Sequence, residues 1–476
     1  MRNAPRFTSR RPSLALAAVA ALVGGCGASD ASPEPAGASA DAGGTAGRYH
    51  VEGGTIRDEL GRSLLLRGVN ARIEGVFDST FEGDRPATVR PIAFGDDDAA
   101  TMAAWGFNLL RLAINWSGVE PTRGQYDEAY LARVRAVIDL CARHGVYVVV
   151  DFHQDGYSKW IGQDGAPLWA VLPPPDPTKQ SYDSHTSIES ITAFFSHFWP
   201  NDEGLQDAYA AAVAHTAAAL AGAENMVGVE LMNEPVALDW SALLPLHHRV
   251  TAAARGALAG KKLWFFEPPG TRNQLDEAPL APEPFPEADA VYSPHIYTNT
   301  FSTKPGTTVE TSFAAADAEA ASWNAALFVG EWGGNPDDVG SPEFFQRHVD
   351  QQNAHLASSA LWVWKEDGPW GMFSGAGEPT VWTPRPAAQR SMTGPFPAEV
   401  DGRLTALTFD RATATAVAEV ALAGAGKVLW TVPLAWYPNG AVARCGDAEV
   451  AGDASLPGRL AVVCPLATAR VELRAK

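Results

Sequence analysis

Two glutamates carry the strongest chemical signal of this 476-residue sequence. Glu234 stands in the run Val-Glu-Leu-Met-Asn-Glu-Pro over 229–235, and Glu331 stands in Leu-Phe-Val-Gly-Glu-Trp-Gly over 327–333. Each follows an apolar, strand-like segment, and barrel enzymes place their catalytic groups at the carboxyl ends of such strands. Two carboxylates in that position predict glycoside hydrolysis, in which one acts as acid and the other as nucleophile or base.

From residue 63 the chain alternates apolar strand-like runs with helical patterns, which predicts eight parallel β/α units. The connection from Pro268 to Ala290 is rich in proline, so a helix there is short or broken. The predicted strands are Ser63–Ala71, Phe107–Asn115, Val146–His153, Met226–Glu234, Lys262–Pro268, Ala290–Tyr297, Leu327–Gly333 and Ser358–Lys365. The predicted helices are Asp96–Trp105, Glu128–His144, Gln206–Ala221, Trp240–Ala259, Ser312–Asn324 and Pro342–Leu356.

The residues at the strand ends favour a closed barrel over a doubly wound open sheet. An open sheet predicts ligand groups from a few strands near one switch point. Here polar or aromatic residues end nearly every strand, which predicts an α/β fold of the (β/α)8 TIM-barrel class with a mouth lined all round. These residues are Asn70, Arg111 with Asn115, His153 with Asp155, Asn233 with Glu234, Glu267, His295 with Tyr297, Glu331, and Trp364 with Lys365.

The connection after the third strand, from Gln154 to Asn201, is unusually long and rich in aromatic residues. Long βα connections of this kind usually shape a binding site or a lid. The alternative is a surface excursion that packs on the barrel. Its aromatic residues are Tyr157, Trp160, Trp169, Tyr182, Phe194, Phe195 and Trp199.

Beyond about residue 395 the sequence changes to short alternating segments separated by Gly, Pro, Asn and Asp. This pattern predicts a barrel over 48–394 followed by a small antiparallel β-sandwich over 395–476, most simply a structural or accessory module. Cys445 and Cys464 both fall in the sandwich, and in an oxidising compartment they are expected to form a disulfide. Cys141 lies in a helical pattern and is expected to be a small core residue.

The first 26 residues have the features of an export signal, with an arginine-rich head followed by a small apolar stretch. The run Leu-Val-Gly-Gly-Cys over 22–26 resembles a bacterial lipobox, which makes Cys26 the predicted lipid anchor to a membrane surface. The alternative is an ordinary secretory signal with an incidental cysteine. Residues 27–47 are predicted to be a flexible linker. We therefore expect an exported protein, either a lipoprotein of the bacterial cell envelope or secreted.

The formal net charge of −19 and the lack of Lys/Arg clusters argue against nucleic acid as a partner. Asp151, His153 and Asp155 alternate along one strand and also have the types of metal ligands. Without a cysteine or a His-x-His partner they make a poor metal site, so neither a metal nor a cofactor is predicted.

The order of several runs resembles glycoside hydrolase family 5, and within it the endoglycoceramidase branch, over about residues 50–470. Asn-Glu-Pro alone is a weak signal, but its order with the arginine and histidine motifs, His-x-Tyr over 295–297 and Gly-Glu-Trp over 330–332 is specific. The runs are Leu-Leu-Leu-Arg-Gly-Val-Asn (64–70), Trp-Gly-Phe-Asn-Leu-Leu-Arg-Leu (105–112), Gly-Gln-Tyr-Asp (124–127), Asp-Phe-His-Gln-Asp (151–155), Asp-Gly-Ala-Pro-Leu-Trp-Ala (164–170) and Leu-Met-Asn-Glu-Pro (231–235).

The resemblance implies that Glu234 is the acid/base and Glu331 the nucleophile. Glu331 must stay ionised, and Arg111 and Tyr297 are suitable donors for lowering its pKa. Glu234 must begin protonated, and a raised pKa near the negative nucleophile would keep it so. The resemblance also implies that a set of side chains surrounds the reacting sugar, namely Arg111, His153, Asn233, His295, Tyr297 and Trp364.

Individual roles follow from the same resemblance. Asn233 would donate to the sugar 2-hydroxyl, and Trp364 would offer a flat platform to the ring. Asp155 would bind sugar hydroxyls, and Lys365 with Glu366 would hold a further sugar, as in a subgroup acting on galactose-type heads. His153 and His295 are alternatively core histidines with satisfied hydrogen bonds. Glu230 and Glu267 are interpreted as structural or peripheral.

The leading functional hypothesis is an exported retaining β-glycosidase that releases the intact glycan from ceramide in glycosphingolipids. The alternative enzyme is an endo-β-1,4-glucanase or another family 5 hydrolase of soluble β-glycans, for which an open aromatic cleft is expected instead of a pocket with an apolar exit. A catalytically silent glycan-binding protein on the same scaffold is the third hypothesis, and the presence of both glutamates speaks against it.

Overall fold

The computed structural model describes residues 47–82, 85–176, 187–298, 300–302, 304–377 and 380–476. All of them belong to one compact unit, Gly44–Lys476. The predicted signal, Cys26 and the predicted linker up to residue 46 lie outside the described residues. Within the described part, no helix is both long and apolar enough for a transmembrane span.

Eight parallel strands close into a barrel, which confirms the predicted fold class. Three short strands precede it, namely β1 (Tyr49–Glu52), β2 (Thr55–Asp58) and β3 (Ser63–Leu64). Nearly every barrel residue is buried, as expected when helices cover the outer face and side chains fill the interior. The barrel strands are β4 (Arg67–Ala71), β5 (Leu109–Ile114), β6 (Tyr147–Phe152), β7 (Met226–Glu230), β8 (Leu263–Phe266), β9 (Ala290–Tyr292), β10 (Ala326–Gly333) and β11 (Ser358–Trp362).

The six predicted helices are all present, with ends shifted by a few residues. The proline-rich connection after β8 holds only a four-residue helix, as predicted. Sequence patterns missed three short helices, over Trp116–Val119, Ile188–Thr192 and Pro386–Met392. The helices are α1 (Asp96–Ala104), α2 (Trp116–Val119), α3 (Glu128–Ala142), α4 (Ile188–Thr192, continued by a π-helical turn Ala193–Phe198), α5 (Leu205–Leu220), α6 (Trp240–Leu258), α7 (Arg272–Leu275), α8 (Val309–Ser322), α9 (Ser341–Ala354) and α10 (Pro386–Met392).

The remaining strands form a hairpin and a C-terminal sandwich of two antiparallel sheets. The strands are β12 (Phe373–Ala376) paired with β13 (Val381–Pro384), then β14 (Pro397–Val400), β15 (Gly402–Asp410), β16 (Thr415–Leu422), β17 (Lys427–Thr431), β18 (Ala441–Cys445), β19 (Ala448–Val450), β20 (Arg459–Val463) and β21 (Arg470–Ala475). The six-stranded sheet has the order β1-β2-β3-β14-β17-β20, and the five-stranded sheet has the order β15-β16-β21-β18-β19.

The predicted start of the barrel at residue 48 is wrong, because β1, β2 and β3 belong to the sandwich. The residue Leu64 pairs with Glu399 of β14, so the first predicted strand, Ser63–Ala71, is divided between the two domains. Only its second half, Arg67–Ala71, enters the barrel. The sandwich is therefore built from both ends of the described chain and cannot be an independent C-terminal appendage.

The cysteines occupy the positions that the sequence suggests. Cys445 of β18 forms a disulfide with Cys464, which follows β20, and their Cα atoms are 5.6 Å apart. Because these strands lie in different sheets, the bond joins the two layers of the sandwich. Cys141 is a free, buried thiol in α3.

The sandwich also closes the amino end of the barrel. Tyr49, Ile56 and Leu64 pack in one buried cluster with barrel residues such as Leu109 and Phe328. Arg62 forms ion pairs with Asp58 and Glu399, and the hydroxyl of Tyr147 donates to Glu399 at 3.0 Å. The barrel is sealed at this end, which leaves the carboxyl ends of the strands as the open face.

Candidate active site

Arg111 on β5 organises the carboxyl end of the barrel. Its guanidinium is fully buried and contacts the carboxylates of four residues from other strands. Burial lowers the pKa of Arg111, but the carboxylates outweigh it and hold the pKa well above its ordinary value. The distances from Arg111 nitrogens are 3.2 Å to Asp151, 2.5 Å to Glu230, 3.1 Å to Glu267 and 2.9 Å to Glu331, with further hydrogen bonds of 2.9 Å to the side-chain oxygens of Asn70 and Asn233.

Glu234 follows β7 and extends its partly exposed carboxylate into a cavity. Its Oε1 accepts a hydrogen bond of 2.7 Å from Asn273 Nδ2 and lies 2.7 Å from His295 Nδ1. The backbone has a φ of +37°, in the left-handed region that non-glycine residues seldom adopt. Gln154 Nε2 donates to the carbonyl oxygens of Asn233 and Glu234 at 2.8 and 2.9 Å, which fixes this strained turn.

Glu331 on β10 is held from three sides. Arg111 donates to its Oε1 at 2.9 Å, Tyr297 donates from its hydroxyl to Oε2 at 2.8 Å, and His295 Nδ1 lies 3.5 Å from Oε2. Burial raises the pKa of Glu331, His295 and Arg111 lower it, and Glu234 adds to the rise. The net direction is upward because burial outweighs the two cationic neighbours. That Arg111 and Tyr297 keep Glu331 ionised for attack stays a prediction.

The two glutamates lie close together across His295. One carboxylate oxygen of each and a nitrogen of His295 are all within 4.8 Å of one another. His295 is fully buried, and burial alone would lower its pKa. The carboxylates of Glu267, Glu331 and Glu234 instead raise that pKa well above its ordinary value.

His153 and Asp155 form a second charged group beyond β6. The Nδ1 atom of His153 lies 2.6 Å from Asp151, and its Nε2 lies 3.5 Å from Asp155. Burial would lower the pKa of His153, but the two aspartates raise it well above the usual value. His153, Asp155 and Asp164 also place one possible ligand atom each within 4.8 Å, so they have the donors for a cation. The absence of a metal and of a cofactor stays a prediction.

The predicted sugar platform, Trp364, lies elsewhere. It is completely buried between Trp105 and Phe373, and its indole nitrogen donates to Asp98 at 2.8 Å. Lys365 also pairs with Asp98 and does not line the cavity. These two predictions are therefore wrong, because Trp364 and Lys365 both contact Asp98 of α1, outside the cavity lining.

Trp362 takes the position expected of Trp364. Its ring stacks on His153 with a centroid distance of 5.5 Å, and the guanidinium of Arg72 lies 5.1 Å above it. Arg72 in turn pairs with Glu366 at 2.9 Å, so Glu366 does reach the cavity, as the sequence suggests. Side chains two positions apart along an extended chain point to the same face, so alternation alone cannot show which of Trp362 and Trp364 faces the cavity.

The cavity above the glutamates measures about 960 Å³ and has two kinds of lining. A polar set comes from the end of β11 and from the connections after β4, β6 and β11. An apolar set comes from α4 with its π-helical continuation and from the connections after β7, β9 and β11. The polar set is Arg72, His153, Asp155, Gln163, Trp362 and Glu366, and the apolar set is Ile191, Phe195, Val236, Leu238, Phe301 and Trp370.

Comparison with known proteins now identifies the family. The sequence model described as "Cellulase (glycosyl hydrolase family 5)" matches residues 87–368, which is more than half of the chain. The chain belongs to glycoside hydrolase family 5. The resemblance stated from the sequence is thereby confirmed.

Among its relatives, this family 5 chain is 32% identical over 187 residues to endoglycoceramidase I of Rhodococcus hoagii (strain 103S), which covers 39% of this chain and 36% of that protein. The matched segment thus spans only about a third of that relative's length. The crystal structure of an endogalactoceramidase superposes with a TM-score of 0.74 at 26% identity, covering 90% of this chain and 100% of that one. Endo-glycoceramidase II from Rhodococcus sp. in its ganglioside GM3 complex has the same fold, with a TM-score of 0.74 at 22% identity over 89% of this chain and 99% of that one.

In this family 5 barrel the long aromatic connection after β6 does two things. Ile191 and Phe195 line the cavity, as predicted for a loop that shapes the site. Phe194, Phe198 and Trp199 instead pack against one another and against the barrel, which is the alternative interpretation. Residues 177–186, including Tyr182, lie outside the described residues.

Several site residues were missed or underrated by the sequence. Asn273, Arg72 and Trp370 carry no motif, and only their position after a strand could have indicated them. Gln154 lies in the run Asp-Phe-His-Gln-Asp but had no predicted role. Glu267 was interpreted as peripheral, yet it contacts Arg111, His295 and the backbone N–H of Glu234. Its place as the first residue after β8 was the available signal.

Proposed function

We propose that this protein is a retaining β-glycosidase that cleaves the bond between oligosaccharide and ceramide in glycosphingolipids. The observation that carries the proposal is the cavity, in which two closely spaced glutamates share one lining with a polar set and an apolar set of residues. A glycolipid offers both kinds of surface, with hydroxyl groups on one side of the scissile bond and hydrocarbon on the other. The names of the relatives support this substrate class.

The spacing of the glutamates supports a retaining mechanism. Carboxyl groups about 5–5.5 Å apart act as nucleophile and acid/base, whereas a separation of about 6.5–9.5 Å leaves room for a water and gives inversion. Here one oxygen of each glutamate lies within 4.8 Å of the other. Glu331 would attack the anomeric carbon while Glu234 protonates the departing ceramide oxygen, so that the glycosidic bond breaks as the glycosyl-enzyme bond forms.

In the second half of the reaction, Glu234 is the base. Once the glycosyl-enzyme has formed, Glu331 carries no charge, and Glu234 can take a proton from water as its oxygen attacks the anomeric carbon. The released products are the free glycan and ceramide. Tyr297 and Arg111 would stabilise Glu331 as it leaves, since both already contact its carboxylate.

The apolar set favours a glycolipid over a soluble glycan. Leu238, Phe301 and Ile191 are 71%, 49% and 40% exposed at the cavity, although exposing large apolar side chains together is unfavourable unless a ligand covers them. A soluble β-glycan would present hydroxyl groups to this surface and leave them without partners. Hydrolysis of soluble β-glycans remains the second candidate, because cellulases share the family.

Product analysis tests the proposal. Residues 48–476 and their Glu331→Gln variant would be incubated with detergent-dispersed glucosylceramide, lactosylceramide and a ganglioside, and separately with soluble β-glucan. Free ceramide together with the intact glycan, absent with the variant, is the expected result. Shortened glucan with untouched glycolipid would replace the proposed substrate by a polysaccharide. Equal behaviour of the wild type and the variant would favour a binding protein that does not catalyse the reaction.

Export and lipid anchoring at Cys26 are part of the proposal and rest on the sequence. The disulfide between Cys445 and Cys464 supports export, because such bonds persist in oxidising compartments. Palmitate labelling of the full chain in a bacterial host, beside Cys26→Ala, tests the anchor. A label present in the wild type and absent in the variant is expected. Secretion of both proteins without a label would leave an ordinary export signal.

A further inference from the structure

Glu267 makes contacts that the reaction scheme above does not use. It follows β8 directly, and it is only 4% exposed. Its Oε2 accepts a hydrogen bond of 3.0 Å from the backbone N–H of Glu234. Its Oε1 lies 3.1 Å from Arg111 Nη2 and 3.2 Å from His295 Nε2. One carboxylate therefore contacts the backbone of one reacting glutamate and the histidine that lies between both glutamates.

His295 connects this carboxylate to the reacting groups. Its Nε2 atom faces Glu267, and its Nδ1 atom lies 2.7 Å from Glu234 and 3.5 Å from Glu331. Arg272 donates from Nη1 to the carbonyl oxygen of His295 at 3.0 Å, which fixes the backbone. The imidazole thus has its Nε2 atom at ion-pair distance from Glu267, without a well-aligned hydrogen bond, and its Nδ1 atom at hydrogen-bond distance from Glu234.

We propose that Glu267 is a positioning residue that keeps a hydrogen on Nδ1 of His295, facing Glu234, and thereby sets the pH range in which Glu234 works as acid and base. The inference rests on the proposed function for its kinetic consequences. Its structural part, the link between Glu267 and His295, holds for the free protein.

The argument is one of proton placement. If Glu267 is ionised, it favours an imidazolium, in which both ring nitrogens carry hydrogen. If the proton shifts to Glu267, its O–H donates to Nε2, and the remaining ring hydrogen is on Nδ1. In either arrangement, Nδ1 is a donor toward Glu234. Without Glu267, a neutral His295 is free to carry its hydrogen on Nε2 and to face Glu234 with a lone pair.

The charged surroundings agree with this assignment. Burial raises the pKa of Glu267, His295 and Arg111 oppose the rise, and Glu230 adds to it. His295 is faced by Glu234, Glu267 and Glu331, and together they raise its pKa well above the usual value despite burial. Removal of one of these negative charges must lower the pH at which His295 loses its extra proton.

Histidine-selective ¹⁵N NMR tests the link without any substrate. The chain contains 11 histidines, and the signal of His295 would be assigned with a His295→Asn variant. In the wild type we expect Nδ1 of His295 to stay protonated across the range in which the protein is folded. In Glu267→Gln the titration of His295 should move to lower pH by about one unit or more. An unchanged titration overturns the proposal.

A matched control separates this role from a general loss of buried charge. Glu230 is also buried on Arg111, but it contacts neither His295 nor Glu234 in the described residues. Glu230→Gln should therefore move the His295 titration by less than half as much. Equal shifts in the two variants would overturn a specific role for Glu267. If Glu267→Gln does not fold, Glu267→Asp is used instead, because its side chain is shorter by one methylene and places the carboxylate farther from His295. The proposal then requires a smaller shift of the His295 titration, again to lower pH.

The kinetic test uses the same variants. The basic limb of the pH dependence of glycolipid hydrolysis reports the proton on Glu234, and a hydrogen on Nδ1 of His295 favours the ionised form of that carboxyl. The limb should therefore move to higher pH in Glu267→Gln, lie between the two in Glu267→Asp and stay within about 0.3 unit of wild type in Glu230→Gln. A purely structural role would lower the rate at all pH values without moving the limb, and that result overturns the proposal. A shifted His295 titration in a protein that releases no glycan from any glycolipid would reject the proposed substrate and retain the link.

Discussion

Arg111 and Arg62 are both buried among carboxylates, but they are at opposite ends of the barrel. Arg111 faces four carboxylates at the carboxyl end, from Asp151, Glu230, Glu267 and Glu331. Arg62 faces two at the amino end, from Asp58 and Glu399, in a region that the sandwich seals. The first network opens onto a cavity and the second does not.

The difference separates buried charges that serve catalysis from buried charges that stabilise the fold. At the amino end, each carboxylate is matched by a donor from Arg62 or Tyr147. At the carboxyl end, one arginine is shared by four carboxylates, so repulsion among them remains even with two histidines nearby. Removing one negative charge should therefore have opposite effects on stability at the two ends.

The largest expected effect is on activity at the carboxyl end. Glu331→Gln should reduce glycolipid hydrolysis by at least about 10³-fold, because no covalent intermediate can form. Its Tm should be equal to or higher than that of the wild type, since the change relieves repulsion around Arg111. Product release and thermal unfolding would be measured on the same preparation. A lowered Tm would contradict the idea of excess charge at this end.

Glu234→Gln should lower glycolipid hydrolysis by about 10²–10⁴-fold, because the ceramide oxygen then leaves without a proton. An aryl glycoside with an acidic phenol needs no such proton, so formation of its glycosyl-enzyme should be nearly normal. The signature is a burst of phenol followed by slow turnover, which added azide should accelerate. An equal loss on both substrates would contradict the acid/base role and point to misplacement of the sugar.

At the amino end the same type of substitution should affect stability and leave activity intact. Glu399→Gln breaks a buried pair and leaves Arg62 with Asp58 alone, which is expected to cost about 3 kcal/mol of unfolding free energy. The rate per folded molecule should be unchanged. Urea unfolding would be compared with Glu331→Gln as the matched control. Equal stability of the two variants would remove the distinction between the ends.

A smaller, pH-dependent effect on stability should come from two buried histidines that belong to neither network. Burial lowers the pKa of both His247 and His348 to about 3. Since these groups bind protons more readily when the chain is unfolded, stability should fall as pH drops from about 6.5 toward 3. The expected slope is about 1.4 kcal/mol per pH unit for each histidine. The unfolding free energy, measured by urea unfolding between pH 7 and 5, should depend less steeply on pH in His348→Phe than in the wild type. An unchanged pH dependence would assign the acid sensitivity to the carboxylates instead.

The sequence predicted the barrel because its strands are nearly continuous apolar runs of the length that buried parallel strands require. It placed Glu234 and Glu331 because both lie in specific motifs at strand ends. It could not assign β1–β3 to the sandwich, since the pairing of Leu64 with Glu399 spans most of the chain and leaves no local pattern.

Errors at the site have a similar cause. Trp362 and Trp364 are two residues apart, and only the end of β11 decides which of them faces the sugar site. Glu267 has an ordinary strand-end position, and its importance comes from contacts with three different strands. The types of the reacting residues could be predicted, but the network that sets their protonation depends on tertiary packing.

The smallest expected effect concerns the apolar set of the cavity, which carries no charge at all. Leu238 is 71% exposed, so Leu238→Ser should change the unfolding free energy by no more than about 0.5 kcal/mol. Its apolar contact with a ceramide chain would be lost, and KM for dispersed glycolipid should rise about threefold to tenfold with kcat retained. Hydrolysis of a soluble aryl glycoside should not change, because that substrate has no hydrocarbon chain for Leu238 to contact. Leu280→Ser, at an exposed leucine outside the cavity lining, is the matched control and should leave both substrates unaffected. An equal loss on both substrates in Leu238→Ser would mean that the apolar set supports the shape of the site and does not contact lipid.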